Sequence, residues 1–166
     1  EITTGDWSSD VCSSDLAFTK SDLVKANCLR ALALIGDKQA GDFLMVTLEK
    51  TTNKENRFDL LNLLAEIQYE PALIKTEEIL KQDFAQYYWQ SIFIFGKMGD
   101  KSVPFLIKRI NDPNENIRAH AINALGQWLI EPRAADEFRN HYWVESKTEI
   151  REILLSSMEV DFRTFY

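Results

Sequence analysis

Apolar positions recur along this chain in blocks. Moved against itself by 32, then 31, then 30 residues, the sequence superposes four segments, 24–37, 56–69, 87–100 and 117–130. One column reads Leu29, Leu61, Ile92, Ile122, the next Ala31, Leu63, Ile94, Ala124. Two more read Leu32, Leu64, Phe95, Leu125 and Ile35, Ile67, Met98, Trp128. With Cys28, Leu60, Ser91 and Ala121 the columns fall at i, i+1, i+3, i+4 and i+7. That spacing lays a broad apolar stripe on a helix and excludes the alternation of a strand. Each segment is the first helix of a repeated unit.

A second helix follows each first one after a short break. Gly36-Asp37 and Gly99-Asp100 suit a helix C-terminus, since glycine accepts left-handed backbone angles without a Cβ clash. Pro71, Pro104 and Pro132 stand where a new helix begins and the missing N–H costs nothing. The second helices are predicted over 39–50, 71–82, 102–110 and 133–145. Asp112-Pro113-Asn114-Glu115 reads as an N-cap, a first-turn proline and a capping glutamate, and Ser146-Lys147-Thr148-Glu149 repeats the box without proline. The latter opens a fifth unit with Ile150, Ile153, Leu154 and Met158 as its stripe. Linkers are short, so consecutive helices pack antiparallel.

The run Asn116-Ile117-Arg118-Ala119-His120-Ala121-Ile122-Asn123-Ala124-Leu125-Gly126 resembles the HEAT repeat, in its short bacterial form similar to phycobilisome lyases. Lys97-Met98-Gly99-Asp100-Lys101-Ser102-Val103-Pro104-Phe105-Leu106 is similar to that family's turn and second-helix start, and Leu34-Ile35-Gly36-Asp37-Lys38-Gln39-Ala40 echoes it. The resemblance covers residues 21 to about 158. Unit two departs from it with Gln68-Tyr69 in place of Gly-Asp, and unit four has no glycine at its turn. The resemblance implies an all-α fold, a right-handed α-α superhelix of four helix pairs plus a partial fifth. In such a solenoid the second helices line the concave face and the first helices the convex one. It also implies that basic groups at the Arg118 position, matched by Lys25 and Arg151, bond the turn aspartate of an adjoining unit, here Asp100, with Asp37 its counterpart.

Composition changes once the first sixteen residues are set apart. Asp6-Trp7-Ser8-Ser9-Asp10-Val11-Cys12-Ser13-Ser14-Asp15-Leu16 resembles one reading frame of a sequencing-library adapter, with Glu1, Ile2 and Gly5 fitting its flanks. Residues 1–16 are therefore expected to be non-native, and 17–166 to be a fragment of a longer protein. The segment carries Glu1, Asp6, Asp10 and Asp15 and no Lys or Arg, so the net charge of −7 shrinks to −3 without it. The remaining 19 basic and 22 acidic residues form no footprint for nucleic acid. At 45% hydrophobic residues the chain is of globular composition. With Cys12 set aside only Cys28 remains, so no disulfide forms within the chain and the cytoplasm is the default location. The longest apolar runs, 31–35 and 92–95, fall far short of the roughly 20 residues that span a bilayer.

Little in the sequence carries chemistry. His120 shares its column with Asn27, Asp59 and Gln90, which predicts a solvated position; His141 has a core-facing spacing with Phe138 and Tyr142. Two histidines on different helices and one remote cysteine supply no metal-ligand spacing. No phosphate loop, nucleophile elbow or paired-histidine motif is present, so no catalytic residue, metal or cofactor is expected. Tyr87, Tyr88, Trp89, Phe93 and Phe95 crowd one helix, as Tyr142-Trp143 do another. A helix apolar nearly all round is expected to lie between neighbours; the competing reading is a partner groove anchored by Trp89 or Trp143.

The expected function is a non-catalytic scaffold that binds a protein partner on the concave face of its second helices. With the stripe inward, that face holds Asp42, Met45 and Glu49 on the first such helix and Glu78 and Lys81 on the second. Lys108 and Arg109 hold the third, and Asp136, Arg139 and Asn140 the fourth. Mixed charge points to a protein partner. An enzymatic alternative follows from relatives implied by the resemblance, chromophore lyases and helical-repeat DNA glycosylases, the latter disfavoured by charge. An architectural spacer is a third. Uncapped ends, with Leu23 and Leu34 on one side and Ile150, Ile153, Leu154, Leu155, Phe162, Phe165 and Tyr166 on the other, predict self-association.

Overall fold

A computed structural model of the chain describes residues 28, 30, 31, 34 and 38–163. The predictions for residues 1–16, Leu23, Lys25 and Asp37, for most of the first predicted helix, and for the side chains of Phe162, Phe165 and Tyr166 lie outside them. The described residues are all-helical. They fall into two compact units, one ending at Tyr69 and one beginning at Glu70.

In the first unit, α1 (Lys38–Lys50) packs on α2 (Lys54–Glu66). Leu44, Leu48 and Leu64 are fully buried, with Ala40, Leu61, Leu63 and Ala65 beside them in the core. Asn53 caps α2, its side chain accepting the Asn56 amide at 3.0 Å. The turn that lacks glycine keeps a glycine-type geometry. Tyr69 N donates to Leu64 O and Gln68 N to Ala65 O, both at 3.0 Å, while Gln68 takes φ 59°. These two bonds are the Schellman closure of a helix, with Gln68 in the left-handed place. Gly41 is required by close approach: a Cβ there would lie 2.4 Å from the Tyr69 ring.

The second unit runs α3 (Pro71–Gln82), α4 (Phe84–Met98), a 3₁₀ turn (Gly99–Lys101), α5 (Ser102–Arg109), α6 (Glu115–Asn123), a π-helical turn (Ala124–Trp128), a 3₁₀ turn (Pro132–Ala134), α7 (Ala135–Val144) and α8 (Thr148–Arg163). Helix α4 packs on α3, α5, α6 and the π turn, and α8 packs on α6, α7 and the π turn. The repeat columns build this core: Ile92, Ile94, Phe95, Met98, Ile122, Ala124 and Leu125 are all buried. Pro71 opens α3 as predicted. Gly99, at φ 50°, ends α4 and its amide donates back to Phe95 and Gly96 carbonyls.

Several expectations are corrected. The cap of α6 is Asn114, not Asp112: Asn114 Oδ1 accepts the Asn116 amide at 2.9 Å, and Asp112 instead holds the Asn114 amide at 2.9 Å. Asn114 Oδ1 also takes the Ile117 amide at 3.4 Å, so the helix starts two residues later than an Asp112 cap implies. Helix α8 begins at Thr148, one place later than a Ser146 cap implies, because Glu145 Oε1 accepts the Lys147 amide. Trp128, placed in the core column by periodicity, is 57% exposed. Within the fifth unit Ile150 and Leu154 are buried, leaving Leu155 at 43% exposure; Leu34 is exposed at the other end.

Candidate functional site

The second-helix residues singled out by periodicity are mostly at the surface. Asp42 and Glu49 are exposed on α1 and Met45 is half-buried there. Asp42 accepts a hydrogen bond from the Tyr69 hydroxyl, which raises the tyrosine pKa, with burial of the phenol adding to the effect. In the second unit Glu78, Lys81, Lys108, Asp136, Arg139 and Asn140 are exposed, and Arg109 is half-buried. Glu78 pairs with Lys75 at 3.1 Å, and Asp136 with Arg139 at 2.6 Å. Lys108 has no ion pair among the described residues.

What joins these residues is one that periodicity passed over. Glu77 is 6% exposed, and its carboxylate takes Lys81 of its own helix and Arg109 Nε of α5 at 2.5 Å. The Arg109 guanidinium also lies 4.3 Å from the centre of the Phe105 ring. The sequence signal for Glu77 is its i,i+4 spacing to Lys81. The next second helix is stitched similarly: His141 Nδ1 meets Asn111 Oδ1 at 2.9 Å, just past α5. His141 is buried, as its core-facing spacing predicts.

The helices turn matching rows outward. On α3 the exposed row is Ile74, Glu78 and Lys81; along α5 it is Lys101, Pro104 and Lys108; on α7 it is Asp136, Arg139, Asn140 and Trp143. The α7 row follows i, i+3, i+4 and i+7, one face of a helix. Trp143 is 78% exposed on it.

Two polar positions of α6 behave otherwise than expected from sequence. Arg118 does not reach Asp100. Its guanidinium forks onto Glu145, Nε to Oε2 at 2.8 Å and Nη2 to Oε1 at 3.0 Å, and Nη1 donates to the Asp112 carbonyl at 3.0 Å. Asp100 is met by Arg133 at 2.6 Å. Desolvation pushes Glu145 up, but hydrogen bonds from Arg118, the Lys147 amide and His141 outweigh it and hold its pKa at about 2. Arg151, the matched position in unit five, lies over the Tyr142 ring at 4.8 Å.

His120 is buried, not solvated. Its Nε2 sits 2.8 Å from Ser91 Oγ and 3.3 Å from the Tyr88 carbonyl, among the rings of Phe84, Tyr88 and Phe95. Burial pushes its pKa down to about 4, against a smaller upward pull from the Tyr88 carbonyl. Helix α4 is not enclosed all round either: Trp89 and Phe93 are 60% and 52% exposed. Among the described residues no group of three or more His, Cys, Asp or Glu could hold a metal ion, and no helix is long and apolar enough to cross a membrane.

Helix pairs linked by short turns, repeating at a period of about thirty residues, define a helical-repeat protein. The family model for HEAT repeats matches residues 75–159, and the chain belongs to that family. No curated protein matches it. HEAT repeats are commonly protein-interaction scaffolds and generally non-enzymatic.

Proposed function

We propose that this chain is a non-catalytic scaffold that engages a protein partner through its second helices, the face that in HEAT solenoids is concave. The supporting observation is the run of exposed rows on α3, α5 and α7, bridged from helix to helix by Glu77–Arg109 and Asn111–His141. Side chains held by such bridges lose little freedom on binding, which lowers the cost of association. Lys81, Lys108, Glu78, Asp136 and Arg139 mix both signs, as a protein surface does and a phosphate-tracking groove does not. Trp143 supplies a large exposed anchor on the same face. In the first unit, taken by itself, Asp42, Met45 and Glu49 of α1 are the residues we propose for partner contact.

The test compares retention of proteins from native extract by the wild-type chain and by a chain carrying Lys81→Glu, Lys108→Glu and Trp143→Ala. A protein held by the first and released by the second, with the circular dichroism unchanged, is the expected result. Equal retention by both chains assigns binding elsewhere.

A further inference from the structure

Trp128 is turned out of the core by a defect in the helix that carries it. Its column partner in the preceding unit, Met98, is 1% exposed, whereas Trp128 is 57% exposed. The cause is local. Ala124–Trp128 is π-helical, closed by Leu129 N donating to Ala124 O at 2.9 Å. A π turn accommodates one extra residue and sets back every position after it on the helix surface. Ile130 then takes φ 47°, a left-handed angle that a β-branched residue rarely adopts. Such π turns and strained backbones concentrate at functional sites because folding alone does not favour them.

The displaced ring is not stranded. Trp128 meets Trp89 of α4 edge to face, with centroids 5.5 Å apart and planes at 69°. Trp89 is braced from behind by Tyr88, at 5.0 Å and 83°. Tyr88 is itself fixed: its hydroxyl accepts Asn123 Nδ2 at 2.5 Å, and its carbonyl faces His120 Nε2. The buried Ser91–His120–Asn123 group thus holds the notch between the two tryptophans rigid.

Neither indole N–H donates to an acceptor among the described residues. The exposed neighbours Ala85, Gln86, Gly96 and Gln127 are uncharged, the one charged residue of α4, Lys97, lays its ammonium over the Phe93 ring at 5.3 Å, and a Cβ on Gly96 would meet nothing within 4 Å. Trp89, Trp128 and Phe93 together expose on the order of 400 Å², about half of the ~800 Å² per partner that a stable dimer buries. The patch is too small for a second copy, and the only charge that α4 brings to it, Lys97, is held against the Phe93 ring.

We propose that the Trp89–Trp128 notch is a docking site for an extended, proline-containing peptide segment of a partner protein. A polyproline II strand presents flat apolar rings to the crossed indoles. It also leaves its carbonyls unpaired, as acceptors for the two indole N–H groups. This site lies on the first helices and is independent of the second-helix face.

The experiment titrates a labelled peptide of about ten prolines into the full chain, with a Gly/Ser peptide of equal length as control. Saturable binding of the proline peptide alone is expected, insensitive to salt and weakened at least about tenfold by Trp89→Ala or Trp128→Ala. Trp143→Ala should leave it unchanged. Because either variant could perturb folding, the indole N–H signals of the wild-type chain provide a second readout, in which those of Trp89 and Trp128 shift and that of Trp143 does not. No saturation by about 1 mM peptide, equal binding of the control, or binding that survives Trp128→Ala overturns the proposal. So does self-association of the chain that Trp128→Ala abolishes, which would assign the notch to a second copy.

Discussion

Arg118 and Glu145 face each other through a two-bond fork almost closed to solvent, with side chains 13% and 2% exposed. Glu145 also takes His141 Nε2 at 2.9 Å, so one carboxylate ties the start of α6, the end of α7 and the entry to α8. Removing the arginine leaves that carboxylate buried without its main partner. Arg118→Ala should therefore cost about 3–5 kcal/mol, read as a fall in the urea midpoint. Arg118→Lys should restore little, since an ammonium cannot form the fork. Replacing both residues with Met and Leu should cost less than the single variant; an equal or greater loss would mean the pair is not what matters.

Two buried groups contribute to the pH dependence, in windows that overlap only between about pH 4 and 4.5. His120 titrates at about 4 in the folded chain against 6.5 ordinarily, so the unfolded chain binds the extra proton between those values. Its contribution is complete above pH 6.5 and is lost as pH falls towards 4, by up to about 3 kcal/mol. Glu145, at about 2 against 4.5, contributes fully above 4.5 and is lost as pH falls from there towards 2. Urea midpoints measured from pH 7 to 3 should fall in two stages. In a His120→Gln chain the upper stage should disappear and the lower one remain.

Glycines at two helical positions should respond oppositely to alanine. A Cβ at Gly126 would lie 2.2 Å from Ser157 Oγ and 2.3 Å from its Cβ, whereas one at Gly96 meets open space. Gly96→Ala should stabilise by about 0.5–1 kcal/mol, the helix-interior difference between the two residues. Gly126→Ala should destabilise by at least about 1–3 kcal/mol through overpacking, and Ser157→Gly in the same chain should recover most of it. Thermal melts of the three variants decide this.

Gln68 occupies a left-handed position that costs a side-chain-bearing residue about 1–2 kcal/mol. Its Nε2 donates to the Ala65 carbonyl at 3.1 Å, which offsets part of that cost. Gln68→Gly should raise stability by several tenths of a kcal/mol to about 1 kcal/mol, measured by chemical denaturation. A loss would show that the side-chain bond outweighs the backbone strain.

Periodicity alone made the repeat legible, because a helix at 3.6 residues per turn needs its apolar residues on one face whatever it packs against. Leu61, Leu64, Ile92, Phe95, Ile122 and Leu125 are buried where their columns put them. The start of α3 at Pro71 and the turn at Gly99 were equally readable, since both rest on the backbone chemistry of single residues. The second-helix surface residues were found by the same rule. Glu77, which ties Lys81 to Arg109, was not, because a bridge between helices depends on how α3 and α5 meet and leaves only its i,i+4 half in the sequence.

Polar and aromatic residues at the margins of the stripe were decided by tertiary structure. His120 shares a column with polar residues, yet it is buried because α4 supplies Ser91 Oγ and the Tyr88 carbonyl as partners. Arg118 chose Glu145 over Asp100 because the end of α7 brings a carboxylate to it. Trp128 left the core because one extra residue in the π turn shifted its register, a change that periodicity assumes away. An apolar stripe needs only some neighbour, and any well-packed one will do. A buried polar group or a shifted ring needs a particular atom at a particular distance, and only the packed helices place it there.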